Sequence, residues 1–133
     1  MEQYKIDINA TTIQIVGELN IEAVKKLIGI EFPDGKVYMY PGAIKHIKKR
    51  HNGLIEQYGH LIPVIIANPD YVGQNPKEPN SVELVKVITE HFLVAIKLDP
   101  SGYLFLSSFY DLDNGPYKVQ ARLRSGRLKP YKP

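Results

Sequence analysis

Hydrophobic residues recur along this chain in two rhythms, and the change falls near its middle. In the first half they return every three or four residues, the spacing of one helix face. Ile21, Val24, Leu27 and Ile28 follow Asn20, a good N-cap, and predict a first helix. Ile44, Ile47 and His51 share one stripe of a helix predicted over 41–52, opened by Tyr40-Pro41-Gly42 and stopped by Gly53 as a left-handed residue. A further helical stretch is expected over 54–68, interrupted before Pro63 and ended by Asn68-Pro69-Asp70. In the second half the runs 82–88, 92–98 and 103–110 have strand character, and the short segments between them suit hairpins. Residues 13–17 predict a short strand. Pro33-Asp34-Gly35 predicts the turn of a small hairpin between 30–32 and 37–40. The proline-rich 71–80 predicts a loop with at most a short edge strand, and a last short helix is expected from Asp113 to near Gly126. Helices first and strands second predict one α+β domain over 1–133, with N-terminal helices packed on a C-terminal antiparallel sheet of about four strands.

Composition narrows the class without changing that picture. The chain has 133 residues, 44% hydrophobic and 23% charged, enough for a real core. It has no cysteine, which excludes disulfides and thiolate metal sites and fits a reducing, cytoplasmic setting. The N-terminus lacks a basic segment followed by an apolar one, so no signal peptide is expected, and no apolar run is long enough to span a bilayer. The net charge of +3 is mild, but it is clustered. Lys45, Lys48, Lys49 and Arg50 form one group; Lys118, Arg122, Arg124, Arg127, Lys129 and Lys132 form another, with no acidic residue among them. Two cationic clusters on a nearly neutral body suit a polyanionic partner.

The candidate chemistry sits first in His46-Ile-Lys-Lys-Arg-His51. Two imidazoles and three fixed charges within six residues suit a phosphodiester and proton transfer at its oxygens. On a helix the two histidines lie about 140° apart, so both cannot face one ligand from mid-helix. His46 shares a side with Lys49 and Arg50. His51 shares the apolar stripe, which fits either a core histidine or one at a cleft edge. Arg50, with its forked guanidinium, is the better phosphate clamp of the pair Lys49 and Arg50. In the strands, Lys86 interrupts the face of Leu84, and Lys97 that of Leu93 and Ala95. Ser108 and Tyr110 project to a common face. No P-loop, dinucleotide fingerprint, nucleophile elbow or HExxH zinc motif occurs, and no metal or other cofactor is expected.

The order of elements, the His-Ile-Lys-Lys-Arg-His helix, the segment Ile66-Ala-Asn-Pro-Asp-Tyr-Val-Gly73, the charged strand 82–88 and Ser107-Ser-Phe-Tyr110 resemble phage-associated members of the barnase–EndoU–colicin–RelE-like (BECR) nuclease superfamily. The resemblance runs over about residues 12–130. It implies a BECR-like α+β fold and RNA cleavage, an activity of phage polyvalent proteins, mobile elements and toxins. EndoU-type members use two histidines, a lysine and a Ser/Thr-x-Tyr pair. By that resemblance His46 and His51 supply the histidines, Lys86 or Lys97 the lysine, and Ser108 with Tyr110 the last pair. EndoU histidines are farther apart in sequence than five residues, so His60 competes for the second place. Substrate contacts are expected from Lys49, Arg50, Lys97, Arg122 and Arg124.

The expected function is therefore a metal-independent endoribonuclease that forms a cyclic phosphate. The expected partners are single-stranded or tRNA-like RNA, with an immunity protein or a larger phage polypeptide as a second class and no membrane. The competing readings are a non-catalytic nucleic-acid-binding module and a degenerate nuclease that acts through a protein partner.

Overall fold

The computed structural model describes residues 4–133. Strand β1, Gln14–Glu18, leads into helix α1, Ile21–Ile28. Asn20 caps that helix by accepting a hydrogen bond from the Ala23 N–H at 3.1 Å, and Gly29 ends it in the left-handed conformation. Strand β2, Lys36–Met39, is followed at once by helix α2, Pro41–Arg50, with proline at its first turn. Helix α3, Leu54–Tyr58, a 3-10 turn at Gly59–Leu61 and helix α4, Ile62–Ala67, occupy the stretch expected to break before Pro63. Then come β3, Tyr71–Gly73, and the three long strands β4, Ser81–Val87, β5, His91–Leu98, and β6, Leu104–Asp111. Helix α5, Gly115–Ser125, and strand β7, Leu128–Pro130, close the chain.

The sheet corrects the expected fold in three respects. It has seven strands in the order β1-β2-β6-β5-β4-β3-β7 rather than about four. It is mixed, because β2 runs parallel to β6 while the other neighbours are antiparallel. Its helices do not all pack on one face from the N-terminal side, since α5, the last helix expected, follows the long strands and covers the other face. The meander β4-β5-β6 does form as expected. Beyond the meander, β1 and β2 lie where strands were expected, over 13–17 and 37–40, whereas β3 and β7 have three residues each, too few to display a period of two. The hairpin expected around Pro33 does not form: Gly35 packs against the end of β1, its carbonyl accepting from Leu19 N–H at 2.7 Å, and β2 pairs with β1. Strand β3 lies inside the sheet, between β4 and β7, rather than at an edge.

Helices cover both faces of this sheet. On one face Val24, Ile44, Ile47, Ile55, Ile62 and Ile65 from α1 to α4 join Leu84, Phe92, Val94 and Phe109 in the main core. On the other, Val119 and Leu123 of α5 pack with Val85, Leu93, Leu112 and Leu128. Strand β7 is held there by pairing with β3, an approach that only glycine permits at position 73. A Cβ on Gly73 would lie 1.9 Å from the Arg127 carbonyl oxygen. Gly73→Ala is expected to push β7 away and to lower stability by about 3 kcal/mol, seen as a reduced Tm in thermal melts.

Candidate active site

Strand alternation and register decide which polar groups meet. Glu83 lies opposite Ala95, and Ala95 opposite Ser108; Val85 lies opposite Leu93, and Leu93 opposite Tyr110. Cross-strand partners point to one face, so Glu83, Ser108 and Tyr110 share the face that α5 covers. Strand β2 pairs with β6 only at Val37–Leu104 and Tyr38–Phe105. The chain then turns into α2, which runs against β6. The residue that caps its C-terminal end, His51, reaches Tyr110 and stacks on it, with ring centroids 5.7 Å apart and planes inclined by 17°.

A charged group adjoins this stack. Glu83, only 4% exposed, accepts two hydrogen bonds from Arg127, Nε to Oε1 at 2.8 Å and Nη2 to Oε2 at 2.9 Å. This bidentate geometry fixes the guanidinium plane. Arg122, one turn beyond Val119 on α5, has its Nη1 buried with no hydrogen-bond partner among the described residues. Burial holds the Tyr110 phenol above its ordinary range and the Glu83 charge adds to this, while Arg122 and Arg127 oppose both. Tyr110 is therefore a neutral O–H donor at neutral pH. Arg122 and Arg127 also line a cavity of about 670 Å³ together with Gln74, Ser125 and Lys129. That lining has three cations and no carboxylate, the charge pattern of a phosphate site.

The other predicted residues are placed as follows. His46 is exposed on α2, away from the buried stripe of Ile44 and Ile47, and has no hydrogen-bond, ionic or ring partner among the described residues. Lys49, Arg50, His60 and Arg124 are exposed as well. Lys86 lies on the opposite sheet face from Ser108 and Tyr110. There its Nζ donates to the Asn68 carbonyl at 2.9 Å and pairs with Asp70 at 3.6 Å, a tie between β4 and the end of α4. Lys97 is on the Ser108 face but farther along β5, where it pairs with Glu78 at 3.2 Å. Ser108 is half-buried. The structure thus stacks His51 on Tyr110, puts Ser108 two residues away on the same strand face and sets Arg122 close enough to Tyr110 to act on its phenol, whereas His46 and Lys86 make no contact with this group. Glu83 and Arg127 were not among the candidates drawn from sequence. Among the described residues no three His, Cys, Asp or Glu side chains gather closely enough to hold a metal ion, and no helix is long and apolar enough to cross a membrane.

The family model described as phage-Barnase-EndoU-ColicinE5/D-RelE like nuclease3 (PBECR3) matches residues 14–116, about three quarters of the chain. The chain belongs to this family. A PBECR3 assignment makes it a nuclease of the BECR type and agrees with the resemblance drawn from its motifs. The segment matched to PBECR3 contains His51, Glu83, Ser108 and Tyr110, whereas Arg122, Arg127 and Lys129 follow it. No curated protein and no solved structure matches the chain.

Proposed function

We propose that this PBECR3 nuclease is a metal-independent endoribonuclease that cleaves RNA by attack of a 2′-hydroxyl on the adjacent phosphorus. The reading rests on one observation above all: a half-buried imidazole stacked on a neutral phenol, beside a guanidinium whose buried nitrogen has no partner. Cleavage of this kind requires a base at the 2′-oxygen, an acid at the departing 5′-oxygen and fixed positive charge around the phosphorane. His51 takes the 2′ proton. Tyr110 donates its proton to the 5′-oxygen as the P–O bond breaks, and solvent returns the proton from imidazolium to phenolate. Arg122 and Arg127 hold the non-bridging oxygens, and Glu83 keeps Arg127 in plane. The products are a cyclic phosphate and a 5′-hydroxyl.

Purified protein should cleave single-stranded RNA equally well with and without EDTA, and end-group analysis should find cyclic phosphate. Cleavage that requires a divalent ion and leaves a 5′-phosphate would overturn the proposed chemistry. Binding without cleavage under every condition would favour a non-catalytic RNA-binding module. The same reading makes the protein a candidate toxin of phage type, held silent by an immunity protein or by a larger phage polypeptide.

A further inference from the structure

We propose that four aromatic residues on the open half of the Ser108 face, Tyr38, Tyr40, Tyr103 and Phe105, form a stacking subsite for nucleobases of single-stranded RNA. The inference rests on the ribonuclease reading above and extends it from the phosphate to the bases. Tyr38 and Tyr40 alternate with the buried Val37 and Met39 along β2, so their rings project to the side away from the main core. Phe105 is the parallel partner of Tyr38 and lies opposite Lys97, placing it on the face of Ala95 and Ser108. Tyr103 immediately precedes β6. The rings touch as a group: Tyr38 to Tyr103 at 5.7 Å, Tyr40 to Phe105 at 6.3 Å and Tyr103 to Phe105 at 6.4 Å between centroids.

These side chains are not core. None belongs to either hydrophobic cluster, Tyr40 is 38% exposed, and the other three are half-exposed. Helix α5 covers the Leu93 end of this face. The hydroxyls of Tyr40 and Tyr103 hydrogen-bond each other. That bond pushes the Tyr103 phenol up to about 12, so Tyr103 is uncharged, and it ties the two rings together. A rigid, neutral, aromatic surface is what successive bases stack on without sequence preference.

Continuity with the proposed active site selects the occupant. Tyr103, Phe105, Ser108 and Tyr110 follow one another along a single strand face, and Phe105 is about 15 Å from Tyr110 along β6. An RNA strand with its phosphate at Tyr110 therefore has flanking nucleotides within reach of the platform. A second cavity of about 270 Å³ adjoins Phe105, lined also by Glu78, Asn80, Lys97 and Asp99. Its two carboxylates disfavour phosphate and accept hydrogen bonds from base amino groups, so this end suits a base edge.

The test uses the wild-type protein and a 2′-O-methyl RNA, which cannot undergo the transesterification, with an abasic ribose-phosphate oligomer as control. Phe105→Ala and Tyr103→Ala are each expected to weaken binding of the RNA about tenfold and to leave binding of the abasic oligomer unchanged. Tyr103→Phe keeps the ring and loses only the bond to Tyr40, so it should weaken RNA binding less than Tyr103→Ala. Unchanged RNA affinity in both alanine variants, with circular dichroism reporting a native fold, would overturn the subsite. Equal losses for RNA and abasic oligomer would overturn it too, as would a wild-type dimer that the alanine variants dissociate. Absent cleavage of ordinary RNA alongside base-dependent loss of binding would remove the nuclease chemistry and leave the subsite standing.

Discussion

Replacing His51 by alanine is expected to lower RNA cleavage by about 10²–10⁴-fold while leaving RNA affinity nearly unchanged, because the variant loses a proton-transfer group and no phosphate clamp. His46→Ala, five residues earlier and within α2, should cleave at the wild-type rate. The contrast follows from placement: His51 caps α2 against Tyr110, whereas His46 projects from the exposed side of the helix. Single-turnover cleavage together with binding of an uncleavable RNA separates the two effects. If His46→Ala is the inactive variant, the active site has been put on the wrong side of α2. In a bacterial host, wild-type expression should slow growth and His51→Ala should relieve it.

The second large effect concerns Glu83. Glu83→Ala leaves the partly buried Arg127 guanidinium without its carboxylate and should cost about 3 kcal/mol of stability. Urea unfolding would show this as a lower midpoint at unchanged m-value. Structural and chemical roles separate in the double variant Glu83→Leu with Arg127→Met, which removes both charges and fills the space with apolar atoms. It should recover most of the lost stability and still cleave poorly, because the guanidinium beside Tyr110 is gone. Recovery of cleavage with stability would make the pair structural only.

The elements with enough residues to show a period were legible in the sequence. Those were α1 with its Asn20 cap, α2 with proline at its start, the break before Pro63 and the meander β4-β5-β6. Of the short strands, β1 and β2 lie where strands were expected, whereas the three-residue β3 and β7 owe their conformation to neighbours distant in sequence and show no pattern of their own. The parallel β2–β6 pair is likewise set by how α2 lies, which no local pattern encodes. For the site, Ser108 and Tyr110 followed from alternation, and the apolar stripe put His51 against the body of the protein. Glu83 was missed because a lone carboxylate in a strand resembles a solvent-facing position. A signal existed: β4 and β5 are apolar on both faces, with Val85 and Leu93 opposing Leu84 and Phe92. Strands of that kind are covered on both sides, so a carboxylate among them needs a partner. The acid-free tail supplied that partner as Arg127.

On the proposed mechanism RNA phosphate docks between the His51–Tyr110 stack and the two arginines of the α5–β7 end. The most direct test of this docking is a nuclear magnetic resonance titration of the four histidine side chains with a 2′-O-methyl dinucleotide. The His51 ring signals should move on saturation while those of His46 and His60 stay in place, and Arg122→Ala should weaken the response. Movement of His46 with a stationary His51 would contradict that docking.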